Sequence, residues 1–229
     1  MSPSSSKLAV HLEIGQKRVF AAAVDWPGWC RSGRDEASAL QALCDYGPRY
    51  ARVLQAAQLS FSAPAHPSVF TVVERLPGDA TTDFGAPGAI PSSDALPVGD
   101  AELQRLQALL QACWRAFDEA VLSAVGKELR KGPRGGGREV DQIIHHVLGA
   151  DGGYLSSLGL KLKLNDTDDD GKKLEQARQA ILDGLASATH GEIEARGPRG
   201  GLRWPPRYFV RRVAWHVIDH AWEIEDRII

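Results

Sequence analysis

From Asp100 onward the chain keeps one pattern: apolar residues return every three or four positions, over stretches too long for strands. Leu103, Leu106, Leu109, Leu110, Cys113, Phe117, Val121 and Val125 form the first stripe. Asp100 is placed to cap its start, and Lys131-Gly132-Pro133-Arg134-Gly135-Gly136-Gly137 stops it. The same period predicts helices from about Glu139 to Leu158, from Lys172 to Ala188, and from Pro206 to the end of the sequence. The last has prolines at its first turn, where a missing N–H costs nothing. Each stripe needs an apolar partner, and four such helices cover one another most economically as a four-helix bundle.

The preceding part reads as mixed α and β. Leu8 to Ile14 alternates apolar and polar, Gly15-Gln16-Lys17-Arg18 supplies a turn, and Val19 to Val24 returns, which predicts a hairpin. Trp26-Pro27-Gly28-Trp29 breaks the second strand. Ala37, Leu40, Leu43 and Cys44 then recur at helical spacing until Gly47-Pro48, and Arg49 to Leu59 resumes the helix. Ser68 to Glu74 is a β-branched and aromatic run that predicts a third strand. Between Leu76 and Gly99, no period of either kind survives among the glycines and prolines. Because this stretch carries Phe84, Ile90 and Leu96, it is expected to be an ordered connector lying on the helical part, there covering a site. The expected organisation is therefore an α/β domain over residues 1–76, a connector over 77–98 and a bundle over 99–229.

Charge and composition exclude more than they identify. The net charge of -2 gives a polyanion no reason to bind, so nucleic acid is not expected as a partner. The start, MSPSSSKLAVHLEIG, has no apolar core of signal-peptide length, and no segment is apolar enough to span a bilayer, which predicts a cytoplasmic protein without a membrane partner. Cys30, Cys44 and Cys113 form no C-x-x-C pair and read as reduced, buried small residues.

The chemistry concentrates in the histidines. Four of the seven lie in two helices of the expected bundle: His145 and His146 in one, His216 and His220 in the last. At about 100° per residue, Arg212, His216, Asp219, His220, Glu223 and Arg227 fall on one stripe of the last helix, away from its apolar sector. Taken alone, that stripe reads as a solvent face. An i,i+4 histidine pair plus one imidazole from a facing helix, however, gives three nitrogen ligands converging on a point, as in an open metal site. Glu223 then serves either as a carboxylate orienting an imidazole or as a general base. Spacing does not choose between His145 and His146, which flank the apolar arc of their helix at similar offsets.

These two segments, IIHHVLGADGGYL and WHVIDHAWEIEDR, carry a resemblance. From about Gly99 to Ile229 the chain resembles the DinB/YfiT-like superfamily of metal-dependent four-helix-bundle proteins. The resemblance implies an up-down-down-up bundle and a divalent metal ion held by His146, His216 and His220, with His146 preferred because it precedes the small apolar run V-L-G-A. Some members of that superfamily are thiol S-transferases that use the metal to activate a low-molecular-weight thiol. Residues Lys7 to Glu74 resemble a HicB-type α/β domain, through VFAAAVDWPGWCRSGRDEASALQAL. HicB-like domains are best known as antitoxins, but no basic DNA-binding appendage accompanies this one.

The fold class expected is thus α+β, a small HicB-like α/β domain followed by a DinB-like four-helix bundle. The function expected is that of a metal-dependent transferase or hydrolase acting on a small molecule. The alternative is a non-catalytic binding module in which the α/β domain recognises a protein or small ligand and the bundle is a scaffold. Zinc, nickel, iron and copper all suit three imidazoles, so the metal is left open. So is the oligomeric state, a homodimer being one option.

Two further motifs are weaker. Asp166, Asp168, Asp170 and Gly171 fit half of a calcium loop, but Ala177 stands where its closing glutamate belongs; the acids are expected to cap the third helix instead. KGPRGGGRE (131–139) and RGPRGGLRW (196–204) echo each other and read as helix–helix turns in preference to a pair of anion-holding loops.

Overall fold

The computed structural model describes residues 7–55, 57–131, 137–165 and 167–229. Among them are four β-strands and seven α-helices, divided into two compact units, Met1–Leu96 and Pro97–Ile229. No helix of the described residues is long and apolar enough to cross a membrane.

The first unit is built on β1 (Leu8–Ile14) and β2 (Val19–Ala23), antiparallel across a turn closed by the Gly15 N–H donating to the Arg18 carbonyl at 2.9 Å. A third strand, β3 (Cys30–Gly33), pairs with β2 and was not expected from the sequence. It is only four residues long and has no apolar alternation, so it shows no strand period. β4 (Phe70–Pro77) lies parallel to β1 on its other side, giving the order β3-β2-β1-β4. The parallel pairing requires a crossover, supplied by α1 (Glu36–Asp45) and α2 (Gly47–Gln55).

Asp35 begins α1 with a reciprocal cap: its side chain accepts from the Ser38 N–H, and Ser38 Oγ accepts from the Asp35 N–H. Gly33 has a packing reason, since a Cβ there would stand 2.4 Å from the Ala39 nitrogen. The core centres on Trp29, fully buried, whose Nε1 donates to the Leu43 carbonyl at 2.8 Å. Tyr50 stacks on it and donates its hydroxyl to the Pro27 carbonyl. Phe61 and Phe70 meet the Trp29 ring edge-on. Burying each such ring contributes on the order of 2–3 kcal/mol.

The segment after β4 departs from expectation. It contains a short helix, α3 (Ala80–Phe84), capped by Asp79, and it belongs to the first unit. Its anchor is Glu13, which projects from β1 and is buried to 2% exposure. The Glu13 side-chain oxygens accept from Thr82 Oγ1 and from the backbone N–H groups of Gly88 and Ala89. Ser92 adds a bond to Glu74, and the Lys17 N–H donates to Asp83. Polar anchors, not the apolar residues on which the expectation rested, order this stretch; Phe84 remains 89% exposed.

The second unit consists of α4 (Asp100–Ser123), α5 (Val140–Ser157), α6 (Asp170–Thr189) and α7 (Pro206–Arg227). α4 packs on α7, α5 on α6, and α7 also on α5 and α6. Leu106, Leu109, Leu110, Phe117, Ile143, Leu155, Ile181, Leu185, Phe209 and Val213 form a core at 2% exposure or less. The helix starts refine the sequence reading. Gly99, not Asp100, is the N-cap of α4, and Asp100 instead meets His190 at 3.2 Å. Asp169 caps α6 by accepting from the Lys172 N–H. α7 opens on Pro205 and Pro206. Of the two glycine-rich echoes, 132–136 lies outside the described residues. The other is a closed turn, in which Arg196 donates to the Gly200 carbonyl and Arg203 to the Glu194 carbonyl.

Candidate metal centre

α7 is buried on most of its circumference because α4, α5 and α6 all pack against it. The polar stripe is therefore not a wet face. His216 and His220 are each 8% exposed, and the stripe carrying them lies under α5.

His146 comes from α5. Its Nε2 lies 3.1 Å from His216 Nε2. The rings of His146, His216 and His220 meet edge to face, with centroids 4.6 to 5.0 Å apart. One ligand atom from each lies within 4.8 Å of the others, so the cluster can hold a metal ion. Two imidazole nitrogens at about 2.0–2.1 Å from one ion stand about 2.8–3.4 Å apart across octahedral to tetrahedral angles, and the 3.1 Å separation falls in that range.

His145 points elsewhere. Its side chain is 62% exposed and meets Asp170 at 3.2 Å. Tyr154 explains the choice, since its ring lies edge-on to His216 and marks the flank of α5 that faces α7. At about 100° per residue, His146 lies about 80° around the helix from Tyr154 and His145 about 180°. The sequence left the two even because it does not say which flank α7 covers.

The protonation states suit nitrogen donors. Burial, reinforced by His220, His146, Arg212 and Arg138, pushes the His216 pKa down to about 2. Burial and Arg138 also lower that of His146, Glu223 opposing. Both rings are neutral at ordinary pH, with lone pairs to give. His220 is oriented from behind: its Nδ1 lies 2.8 Å from Glu223 Oε2, leaving Nε2 for a ligand. Glu223 Oε1 accepts from Arg227 at 2.7 Å. The bond to His220, with that to Arg227, holds the Glu223 carboxyl below its usual pKa. A carboxylate with both oxygens engaged and a lowered pKa is a weak proton acceptor, so the geometry favours the orienting role over the general base. His216 Nδ1 has no such partner; it is buried and unbonded.

The other sequence candidates stay apart. Asp168 accepts from Gln176, Asp169 caps α6 and Asp170 meets His145, while Asp166 lies outside the described residues. Among the described residues, these acids form no metal-binding group. His66 caps a turn of 3-10 helix, and His11 is buried in β1. The sequence reading passed over Tyr154 and Asp151. Both lie on the buried face of α5, and the helical period that found His146 would have found them.

The chain matches no family model, no curated protein and no solved structure.

Proposed function

We propose that the chain is a divalent-metal-dependent enzyme acting on a small molecule, a thiol S-transferase or a hydrolase, as its resemblance to the DinB/YfiT-like superfamily implies. On this reading, the helical unit is the up-down-down-up bundle of that superfamily and the first unit a HicB-like domain. One observation carries the proposal: three imidazoles, from two helices, bring a nitrogen each within 4.8 Å of the others, with His216 and His220 buried and His146 half-buried.

His146, His216 and His220 would hold the ion. A bound divalent cation supplies Lewis acidity, lowering the pKa of a thiol or water beside it. The chain's own residues do the rest. His146 and His216 stay neutral and available as donors. Glu223 fixes the ring of His220, and the packing of α5 on α7 brings His146 to the pair. Any thiol that reacts is the substrate's, because Cys113 is fully buried and its pKa is pushed up to about 12.

The test uses the full-length chain. Metal content is measured on the purified protein, followed by the melting temperature with and without a chelator. Consumption of a low-molecular-weight thiol with an electrophile is then compared with the His216→Ala variant. Near-stoichiometric metal, a melting temperature lowered by chelation, and turnover lost in the variant are expected. A protein that takes up no zinc, nickel or iron and gains no melting temperature from them supports the non-catalytic binding module instead.

A further inference from the structure

Arg212, beside the cluster, interacts with the Tyr154 side chain but keeps guanidinium donors to spare. Arg212 lies one helical turn before His216 on α7, so their side chains share a face. Its guanidinium carbon is 5.0 Å from the Trp215 ring and 5.8 Å from the Tyr154 ring. The His216 ring lies 5.8 Å from that same Tyr154 ring, so Arg212 and His216 flank one aromatic wall. Trp204 extends the wall by packing on Tyr154. Two guanidinium nitrogens of Arg212, Nε and Nη1, are buried and have no hydrogen-bond partner. Unpaired buried donors of a cation cost more than neutral ones, and a protein keeps them where something else completes them.

The local charges point the same way. Glu223, which lowers the positive potential near the histidines, is already shared by His220 and Arg227. Arg138 and Arg212 both act on His216, and neither has an ion pair among the described residues. Adding a divalent ion to the histidine cluster makes the site more positive still.

We propose that Arg212, beside Tyr154, binds the carboxylate or similar anionic group of a small substrate whose reacting end reaches the three-histidine cluster. The inference rests on the metal-dependent reading for the reacting end, and on Arg212 alone for the anion. The competing role is purely structural, a guanidinium packed between Tyr154 and Trp215.

The two are separated in the full-length protein loaded with cobalt(II), whose visible absorption reports occupancy of the histidine cluster. Mercaptopropionate and its uncharged amide are titrated in turn, binding being read from the thiolate–cobalt absorption. The acid is expected to bind about tenfold or more tightly than the amide, as one charge-assisted contact suffices for. Arg212→Gln should erase that preference and leave the cobalt spectrum without thiol unchanged, whereas Arg212→Lys should keep part of it. Equal affinities in the wild-type protein, a comparison that needs no variant, overturn the proposal, and so does a preference surviving in Arg212→Gln. If cobalt does not bind, the metal-dependent reading fails on its own, and calorimetry with mercaptopropionate on the metal-free protein still decides: binding lost in Arg212→Gln upholds the anion site, and no binding by the wild-type chain overturns it.

Discussion

His146 Nε2 and His216 Nε2, seventy residues apart in the chain, face each other at 3.1 Å. With both rings held neutral by burial, one nitrogen must donate to the other, unless a cation between the histidines takes both lone pairs. The neighbouring His145 turns outward to Asp170. His146→Ala should therefore lower zinc or nickel affinity by more than the roughly 10–100-fold typical of losing an outer partner, while His145→Ala changes it by less than about threefold. Competition titration with a chromophoric chelator measures both, and equal losses would contradict the geometry.

Glu223 meets the cluster through a hydrogen bond to His220 Nδ1. Glu223→Gln keeps the shape and one possible acceptor but removes the charge. It should cost about 10–100-fold in metal affinity, less than loss of a ligand. If it instead abolishes turnover with metal affinity unchanged, Glu223 acts on the proton of the substrate.

Asp151 is buried on α5, with Arg178 of α6 the cation that acts on it and Tyr154 on its own helix nearby. Burial pushes its pKa up to about 7, against 3.8 for the free side chain, Arg178 opposing. Between those values the folded state binds the extra proton. The corresponding stability is therefore fully present below about pH 4 and lost as pH rises through about 7. About three pH units correspond to roughly 4 kcal/mol. Asp151→Asn should flatten this slope, so that its melting temperature relative to wild type improves from pH 5 to pH 8. A difference independent of pH would show the carboxyl to be ionised throughout.

Removing the Glu13 side chain strips the acceptor from Thr82 Oγ1 and from the N–H groups of Gly88 and Ala89. Glu13→Ala should cost about 2–3 kcal/mol and speed hydrogen exchange over residues 80–90. Unchanged exchange there would mean that other contacts hold the segment.

A fragment beginning at Pro97 contains the whole second unit and all three histidines. It should melt cooperatively, with helical circular dichroism, and bind metal as the full chain does. A molten fragment would show that its core needs the first unit.

What the sequence revealed, and what it hid, follows from how local each signal is. The long helices were legible because an apolar stripe over twenty residues is a repeated signal, and the α4 and α7 ranges fall within a residue or two of it. The hairpin was legible for the same reason. β3 was not, because four residues ending in Arg31-Ser32-Gly33 have no period, and their pairing is decided by β2. The polarity of the α7 stripe was read correctly but its exposure was not, since polar residues look wet until a second helix is known to lie over them. The anchoring of 79–89 on Glu13 is a contact across about seventy residues, and no local pattern announces it.

The aromatic wall beside the cluster has an optical consequence. Trp215 lies ring to ring at 6.1 Å from His216, and Trp204 is one ring further away, across Tyr154. An ion with an open d shell, such as nickel, cobalt or copper, held by these histidines lies close enough to drain an excited indole, whereas closed-shell zinc does not. The protein's own ultraviolet emission thus distinguishes which kind of metal it has taken up, with no dye and no label.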